Sequence, residues 1–424
     1  MEYLLLKVLL QLALIVVTAR IFAGLFKKMG QPGVCGEIAA GLILGPSLFG
    51  RLFPETFQRV FDPSVAQIIG IFSQVGLVLL LFLIGMEFEF SHLRTHGRKA
   101  ALISLAGIAL PFASGLLLAK AIYPFVAREI SLLGFALFTA TAMSITALPT
   151  LARILIEVGL NRTQLGVTAI TAAALGDAAG WIILASINAI VRSNFQPMLA
   201  VKMILEVLAF AGFLLLVVRP LVKKWIRHVL RVEGEQISLA TLTILLALMF
   251  GAAMVTNLIG IFSIFGAFLM GAMLFDEDEF RKAVALRLSD FVYVFFVPIF
   301  FMYTGLRTDV GLISTPLALK LCLAVIGVAI VAKGGACALA ARLSGLSGKD
   351  ALAMGTLMNT RGLMELIVLN VGYDLGVIPR TMFTVLTLMA VVTTYMTVPL
   401  VRRMLRREVL EISTQRSAFI SRAS

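Results

Sequence analysis

The chain has 424 residues, is 60% hydrophobic and carries charge on only 14% of them. Soluble domains carry charge on roughly a quarter of their residues, so this composition excludes a water-soluble enzyme and indicates a polytopic membrane protein. The formal charge of +13 is read as lysine and arginine in cytoplasmic loops, and no nucleic-acid partner is expected.

The N-terminal stretch MEYLLLKVLLQLALIVVTARIFAGLF starts acidic and stays apolar for longer than a signal peptide. It is therefore read as a retained first span. Windows of about 20 apolar residues mark thirteen spans, near 3–26, 32–49, 66–87, 100–122, 131–153, 164–190, 198–218, 237–256, 258–275, 290–306, 316–341, 350–372 and 381–401. With the N-terminus outside, cytoplasmic connections hold 21 lysines and arginines and outer connections hold 7. That bias predicts a multi-pass protein of the cell (inner) membrane with a cytoplasmic C-terminus.

Two stretches resemble each other. GEIAAGLILG begins at Gly36 and GAFLMGAMLF at Gly266, which aligns Gly41 with Gly271. The spans that follow end in FLIGMEFEF, near Gly85, and MYTGLRTDV, near Gly305. Spans 1–6 and 8–13 thus read as two inverted six-helix repeats joined by the seventh. Secondary transporters are built this way, with the ion site at the midplane.

The fifth span, FTATAMSITALPTLARIL, crowds Thr139, Thr141, Ser144, Thr146 and Pro149 together. Its counterpart, the twelfth, reads MGTLMNTRGLMELIVL and holds Thr356, Asn359, Thr360, Arg361, Gly362 and Glu365. Helix-weakening, polar residues midway along two matching spans predict interrupted helices, whose freed carbonyls and hydroxyls can coordinate a cation. Thr141, Ser144, Thr146, Asn359 and Thr360 are the expected supporting ligands.

Asp177 lies in the sixth span, within TAAALGDAAGWIILA. A carboxylate at that depth costs about 2.5–3.5 kcal/mol on insertion scales, so a use for it is expected. It can hold a proton or a dehydrated cation, but not both, and that competition couples two flows. Lys333, deep in the eleventh span, either pairs with Asp177 or bonds the interrupted helices. Arg361 and Glu365, four residues apart, are expected to form a structural ion pair, and Glu37 is a further possible partner for Arg361. Arg20 and Glu206 are read as packing or snorkelling residues. His92 and His96 are read as loop residues, and Cys35, Cys322 and Cys337 lack metal-ligand spacing. Neither a resident metal nor a cofactor is expected.

GEIAAGLILGPSLFG, GLVLLLFLIGMEFE, TALPTLARIL with LGDAAGWIILA, and NTRGLMELIVLNVGYDLGV together resemble the monovalent cation:proton antiporter-2 family, with its sodium/hydrogen exchanger-like membrane domain. The closest likeness is to its cation/proton exchanger branch, and it spans roughly residues 10 to 402. The resemblance implies a homodimer in which a core domain moves against a dimerisation domain in an elevator-like exchange of access. It places the core at 100–190 and 316–401 and the scaffold at 1–90 and 198–306, within a transmembrane domain of 1–403. It also places the ion-binding aspartate on Asp177 and the membrane lysine on Lys333.

The residue before Asp177 is Gly176, where relatives carry Asp, Asn or Gln. One carboxylate implies one proton per cation, hence electroneutral exchange, and Gly176 leaves the partner of Lys333 open. After the membrane domain comes only a short basic cytoplasmic tail, 404–424, with no nucleotide-binding domain expected. A membrane aspartyl protease using Asp177 and Asp374 is disfavoured, because the glycine motif before Asp177 is incomplete. The expected function is therefore not enzymatic. It is exchange of K+ or Na+ for H+, with proton-coupled symport of a small organic solute as the alternative.

Overall fold

The computed structural model describes residues 2–87, 97–127, 129–161, 163–193, 196–233 and 237–405. His92, His96 and the basic tail beyond 405 lie outside the described residues. Among those described, every regular element is helical. Hydrocarbon offers no hydrogen-bond partner to a peptide group, so spans satisfy their own backbone as helices.

In chain order the helices are α1 (Glu2–Lys28), α2 (Gly33–Leu44), α3 (Phe49–Leu52), α4 (Pro54–Val60), α5 (Pro63–Glu87), α6 (Gly97–Val126), α7 (Leu132–Ser144), α8 (Leu148–Val158), α9 (Gln164–Arg192) and α10 (Pro197–Phe213). They continue with α11 (Arg219–Glu233), α12 (Leu239–Ile259), α13 (Ser263–Ala272), α14 (Asp278–Phe291), α15 (Val297–Arg307), α16 (Pro316–Ala329), α17 (Gly335–Leu343), α18 (Gly348–Met358), α19 (Leu363–Asp374) and α20 (Arg380–Met404). Three π-helical turns, Leu214–Val218, Val292–Phe296 and Ile330–Gly334, join α10 to α11, α14 to α15 and α16 to α17.

Among the described residues, 11 helices are long and apolar enough to cross a membrane. Thirteen spans were expected. The ninth appears as α13, only 10 residues long, behind a left-handed Gly260 at φ 97° that ends α12. The twelfth is cut into α18 and α19, of 11 and 12 residues, so neither half reaches a spanning length. The fifth is cut as well, into α7 and α8.

The chain divides into two compact units. The described residues of Met1–Arg20, Leu52–Ser91 and Ala185–Tyr303 form one; those of Ile21–Arg51, His92–Leu184 and Thr304–Ser424 form the other. In the first, Lys7 pairs with Asp62 at 2.5 Å and Arg219 with Asp276 at 2.9 Å. Glu206 lies 3.8 Å from Lys202 on the exposed side of α10.

The glycines aligned in the sequence sit at backbone contacts that leave no room for a side chain. In the first unit, a Cβ on Gly266 would lie 2.1 Å from the Ala252 carbonyl oxygen of α12, and one on Gly85 would lie 2.4 Å from the Phe268 oxygen of α13. In the second, a Cβ on Gly36 would lie 2.4 Å from the Phe22 oxygen of α1, and one on Gly305 would lie 2.6 Å from Cα of Gly41 on α2. Small residues let membrane helices approach this closely and gain van der Waals contact where no hydrophobic drive exists.

Candidate ion site at two interrupted helices

The site lies in the second unit, where the breaks of α7–α8 and α18–α19 meet. The Ala147 amide donates to the Thr360 carbonyl at 3.2 Å, and the Thr146 hydroxyl donates to the Met358 carbonyl at 2.9 Å. Each break therefore satisfies backbone groups of the other. A Cβ on Gly362 would lie 2.5 Å from Oγ1 of Thr150, so only glycine lets the second break sit against α8.

A helix that ends inside a membrane leaves its last carbonyls without amide donors. At the end of α7 all four find one. Ser144 Oγ donates to the Thr141 carbonyl at 2.9 Å. Arg361 donates to the carbonyl of Met143 at 2.7 Å and closely to that of Ala142. Lys333 donates closely to the Ser144 carbonyl. Two buried cations thus meet the negative end of the α7 dipole.

Two further carbonyls accept from the same two cations. The Ile145 carbonyl, in the extended break between α7 and α8, accepts from Arg361 at 3.2 Å. A proline inside a helix has no N–H to give to the carbonyl four residues earlier. Pro111, inside α6, leaves the Gly107 carbonyl, which accepts from Lys333 at 3.0 Å. Lys333 itself occupies the π-helical turn Ile330–Gly334, an irregularity often found at functional positions.

Arg361 and Glu365 are buried, with Nη1 and Oε2 separated by 3.6 Å. Glu365 stands in the first turn of α19, where a negative charge suits the dipole. The Arg361 main chain is fixed by Thr394, whose hydroxyl accepts from the Arg361 amide and donates to its carbonyl, both at 2.9 Å. Glu37 is buried on α2 of the same unit; the carboxylate beside Arg361 is Glu365.

Asp177 is 4% exposed, midway along α9. It interacts with the backbone N–H of Leu148, the first residue of α8, and feels the charge of Lys333. Its Oδ1 has no hydrogen-bond partner. One turn on, a Cβ at Gly180 would lie 3.2 Å from Ile145 and 3.5 Å from Met364. Positions i and i+3 share a helix face, so the Asp177 face of α9 runs along both interrupted helices. Gly176 faces α6, its nearest neighbour being Ser104 Oγ, 3.5 Å from a Cβ placed there.

Of the expected supporting residues, Thr141 donates to the Leu137 carbonyl at 2.7 Å, while Ser144 and Thr146 make the bonds given above. Asn359 Oδ1 and Thr360 Oγ1 are buried oxygens without a hydrogen-bond partner, as is Thr139 Oγ1 one turn before Met143. Asp374, the second aspartate of the protease reading, stands at the end of α19 in an ion pair with Arg307. Gly107 and Thr394 are contributors that the sequence reading missed. Pro111 was the legible signal for Gly107; a threonine one element away gave none for Thr394.

One expected result follows for Lys333. Replacing it by glutamine keeps two N–H donors on a neutral side chain that is one bond shorter, so at least one of the two carbonyls is left short, a cost of about 1–3 kcal/mol. Thermal unfolding in detergent should show a lowered but cooperative transition. An unchanged midpoint would mean the lysine is not holding the end of α7.

Interrupted spans that cross at their breaks, with a buried carboxylate beside a half-helix N-terminus, define a secondary transporter architecture. The transmembrane sodium/hydrogen exchanger family model matches residues 13–407, and the chain belongs to that family. It is 38% identical over 401 residues to the Na+/H+ antiporter NhaS4 of Synechocystis, covering 94% of this chain and 97% of that protein. It is 36% identical to cation/H+ antiporter 17 of Arabidopsis thaliana over 95% of this chain and 48% of the relative. With K+/H+ antiporter 1 of Saccharomyces cerevisiae the identity is 33%, over 92% and 46%. The chain thus spans about half the length of the plant and yeast relatives. Its fold is similar to that of the sodium proton antiporter MjNhaP1 from Methanocaldococcus jannaschii, with a TM-score of 0.64 over 96% of this chain and 98% of that one at 15% identity.

Proposed function

We propose that this chain exchanges K+ or Na+ for H+, with Asp177 as the shared carrier. The observation that carries the reading is Asp177 itself. It is buried, faces the N-terminus of α8 and keeps an oxygen without a hydrogen-bond partner. A carboxylate in that state accepts a proton on one side of the membrane and a dehydrated cation on the other. Asn359 and Thr360 offer further oxygens, and Thr141, Ser144 and Thr146 retain lone pairs after donating. Lys333 and Arg361 are engaged by carbonyls, so they tune the local field while Asp177 changes its load. The names of NhaS4 and of the yeast relative support sodium and potassium respectively as cargo.

The same reading has the core of 100–190 and 316–401, which carries Asp177, moving as an elevator against the scaffold of 1–90 and 198–306 within a homodimer. The N-terminus lies outside and the tail in the cytoplasm, and the two halves are inverted repeats. Aligned glycines with corresponding backbone contacts support the repeat.

The test is proton flux in proteoliposomes with an acidic interior, to which K+, Na+, Li+ and choline are added in turn. Discharge of the gradient by K+ or Na+ but not choline is the expected result. Discharge by none of them would overturn the reading and favour an organic solute. Because one carboxylate carries one charge either way, exchange should also run at the same rate at every clamped membrane potential. A rate that rises with voltage would assign a second moving charge.

A further inference from the structure

A groove of about 210 Å³ opens on the second unit, lined by residues that include Ile330, Gly334, Gly335, Leu352, Thr356 and Leu400. It lies between the π-helical turn with α17 on one side and α18 with α20 on the other. Apart from Asn359 at its inner end, the polar lining is already engaged. The hydroxyls of Thr356, Thr393 and Thr397 donate to carbonyls of their own helices, at 2.9, 2.8 and 2.9 Å. A cation or sugar would find few free groups there, whereas hydrocarbon against the threonine-lined walls strands no donor.

The groove has a charged end. Continuing each wall by one turn brings Arg342 from Ala338, Lys349 from Leu352 and Arg403 from Leu400, at spacings of three or four residues that keep to one helix face. All three cations are exposed and stand where α17 ends, α18 begins and α20 ends. Arg342 spends one donor on the Leu346 carbonyl at 2.9 Å. The acid at this end, Asp350, is half-buried and accepts from Ser347 Oγ at 2.7 Å.

We propose that this groove binds one anionic phospholipid of the surrounding leaflet, with an acyl chain in the groove and its phosphate on Arg342, Lys349 and Arg403. Charge complementarity selects an anionic lipid over a zwitterionic one. The occupant would touch Gly334, next to Lys333, and Asn359 at the second break, so it would brace both pieces of the ion site. The binding claim stands apart from the transport reading, because it concerns a different surface and is measured without transport.

The test uses the purified full chain, stripped of lipid in detergent, and follows its thermal unfolding as lipid is added. Phosphatidylglycerol should raise the midpoint at lower concentration than phosphatidylcholine with the same acyl chains. In the Arg342→Gln/Lys349→Gln/Arg403→Gln variant the phosphatidylglycerol response should weaken by roughly fivefold per cation removed. Gly335→Leu should lose the response to both lipids while keeping its lipid-free midpoint, because a Cβ at 335 has nothing within 4 Å and its side chain would fill the groove. If that variant fails to fold, the charge variant, altered only at exposed positions, still decides the matter. Equal responses to the two lipids, or an unaltered response in the charge variant, would overturn the proposal. So would the same stabilisation by inorganic phosphate or glycerol phosphate, which would reveal a free-anion site instead of a lipid site.

Discussion

Asp177→Asn should reduce cation-driven proton flux to that of empty liposomes, while the protein still inserts, purifies as one species and unfolds cooperatively. Asparagine matches aspartate in shape, and its amide oxygen can still face the Leu148 N–H. Asp177 Oδ1 has no hydrogen-bond partner to lose, and the substitution removes a buried charge that costs about 2.5–3.5 kcal/mol at the membrane centre. The fold therefore loses little. The carrier, however, can no longer be protonated or offer a formal charge to a cation. Proton flux with wild type and variant side by side, at matched reconstitution, decides it. Exchange by the asparagine variant at even a tenth of the wild-type rate (about 1.4 kcal/mol in barrier) would remove Asp177 from the carrier role.

The largest effect on stability should come from Arg361→Met. The guanidinium is wholly buried and donates to the carbonyls of Ala142, Met143 and Ile145 while pairing with Glu365. Removing one partner of a buried pair costs about 3–5 kcal/mol because a charge is left uncompensated. The three carbonyls lose their donor as well, at about 1–3 kcal/mol for a buried group left unsatisfied. Net stabilities are commonly about 5–15 kcal/mol, so the variant should accumulate poorly and elute as aggregate in size-exclusion chromatography. Arg361→Lys should recover only part, because a single ammonium cannot span the positions that the planar fork reaches. Adding Glu365→Leu to Arg361→Met should also recover only part, since it removes the stranded carboxylate but not the open carbonyls. A single Arg361→Met variant as stable as wild type would show that the end of α7 does not need the guanidinium.

The expectations for Arg361 and Lys333 rest on carbonyls that breaks in the helices leave open. The interruption after α7 opens the Ile145 carbonyl to Arg361, and Pro111, which deletes an amide inside α6, opens the Gly107 carbonyl to Lys333. The proline inside ITALPTLARIL was read as a sign of interruption, and α7 does end at Ser144. Pro111 was not read in the same way, because α6 continues through it as a helix and the freed carbonyl leaves no mark on hydropathy. Among the described residues 11 helices reach a spanning length, because α13 is short and the twelfth span is interrupted, as its polar residues predicted. An apolar window registers α18 and α19 as one segment, whereas Asn359–Gly362 divides them.

What the sequence determined by itself is whatever depends on neighbours along the chain. Apolar length dictates helices in a membrane, and proline, glycine and hydroxyl residues weaken them at particular points. An aspartate in mid-span marks a candidate site. The tertiary structure alone decided where the two buried cations go. Lys333 meets carbonyls 226 and 189 residues away, and Arg361 meets the end of α7 some 218 residues back. No spacing rule links such positions. A cation in hydrocarbon takes the nearest uncompensated oxygen, and only the packing of α6, α7 and the π-helical turn determines which oxygen that is.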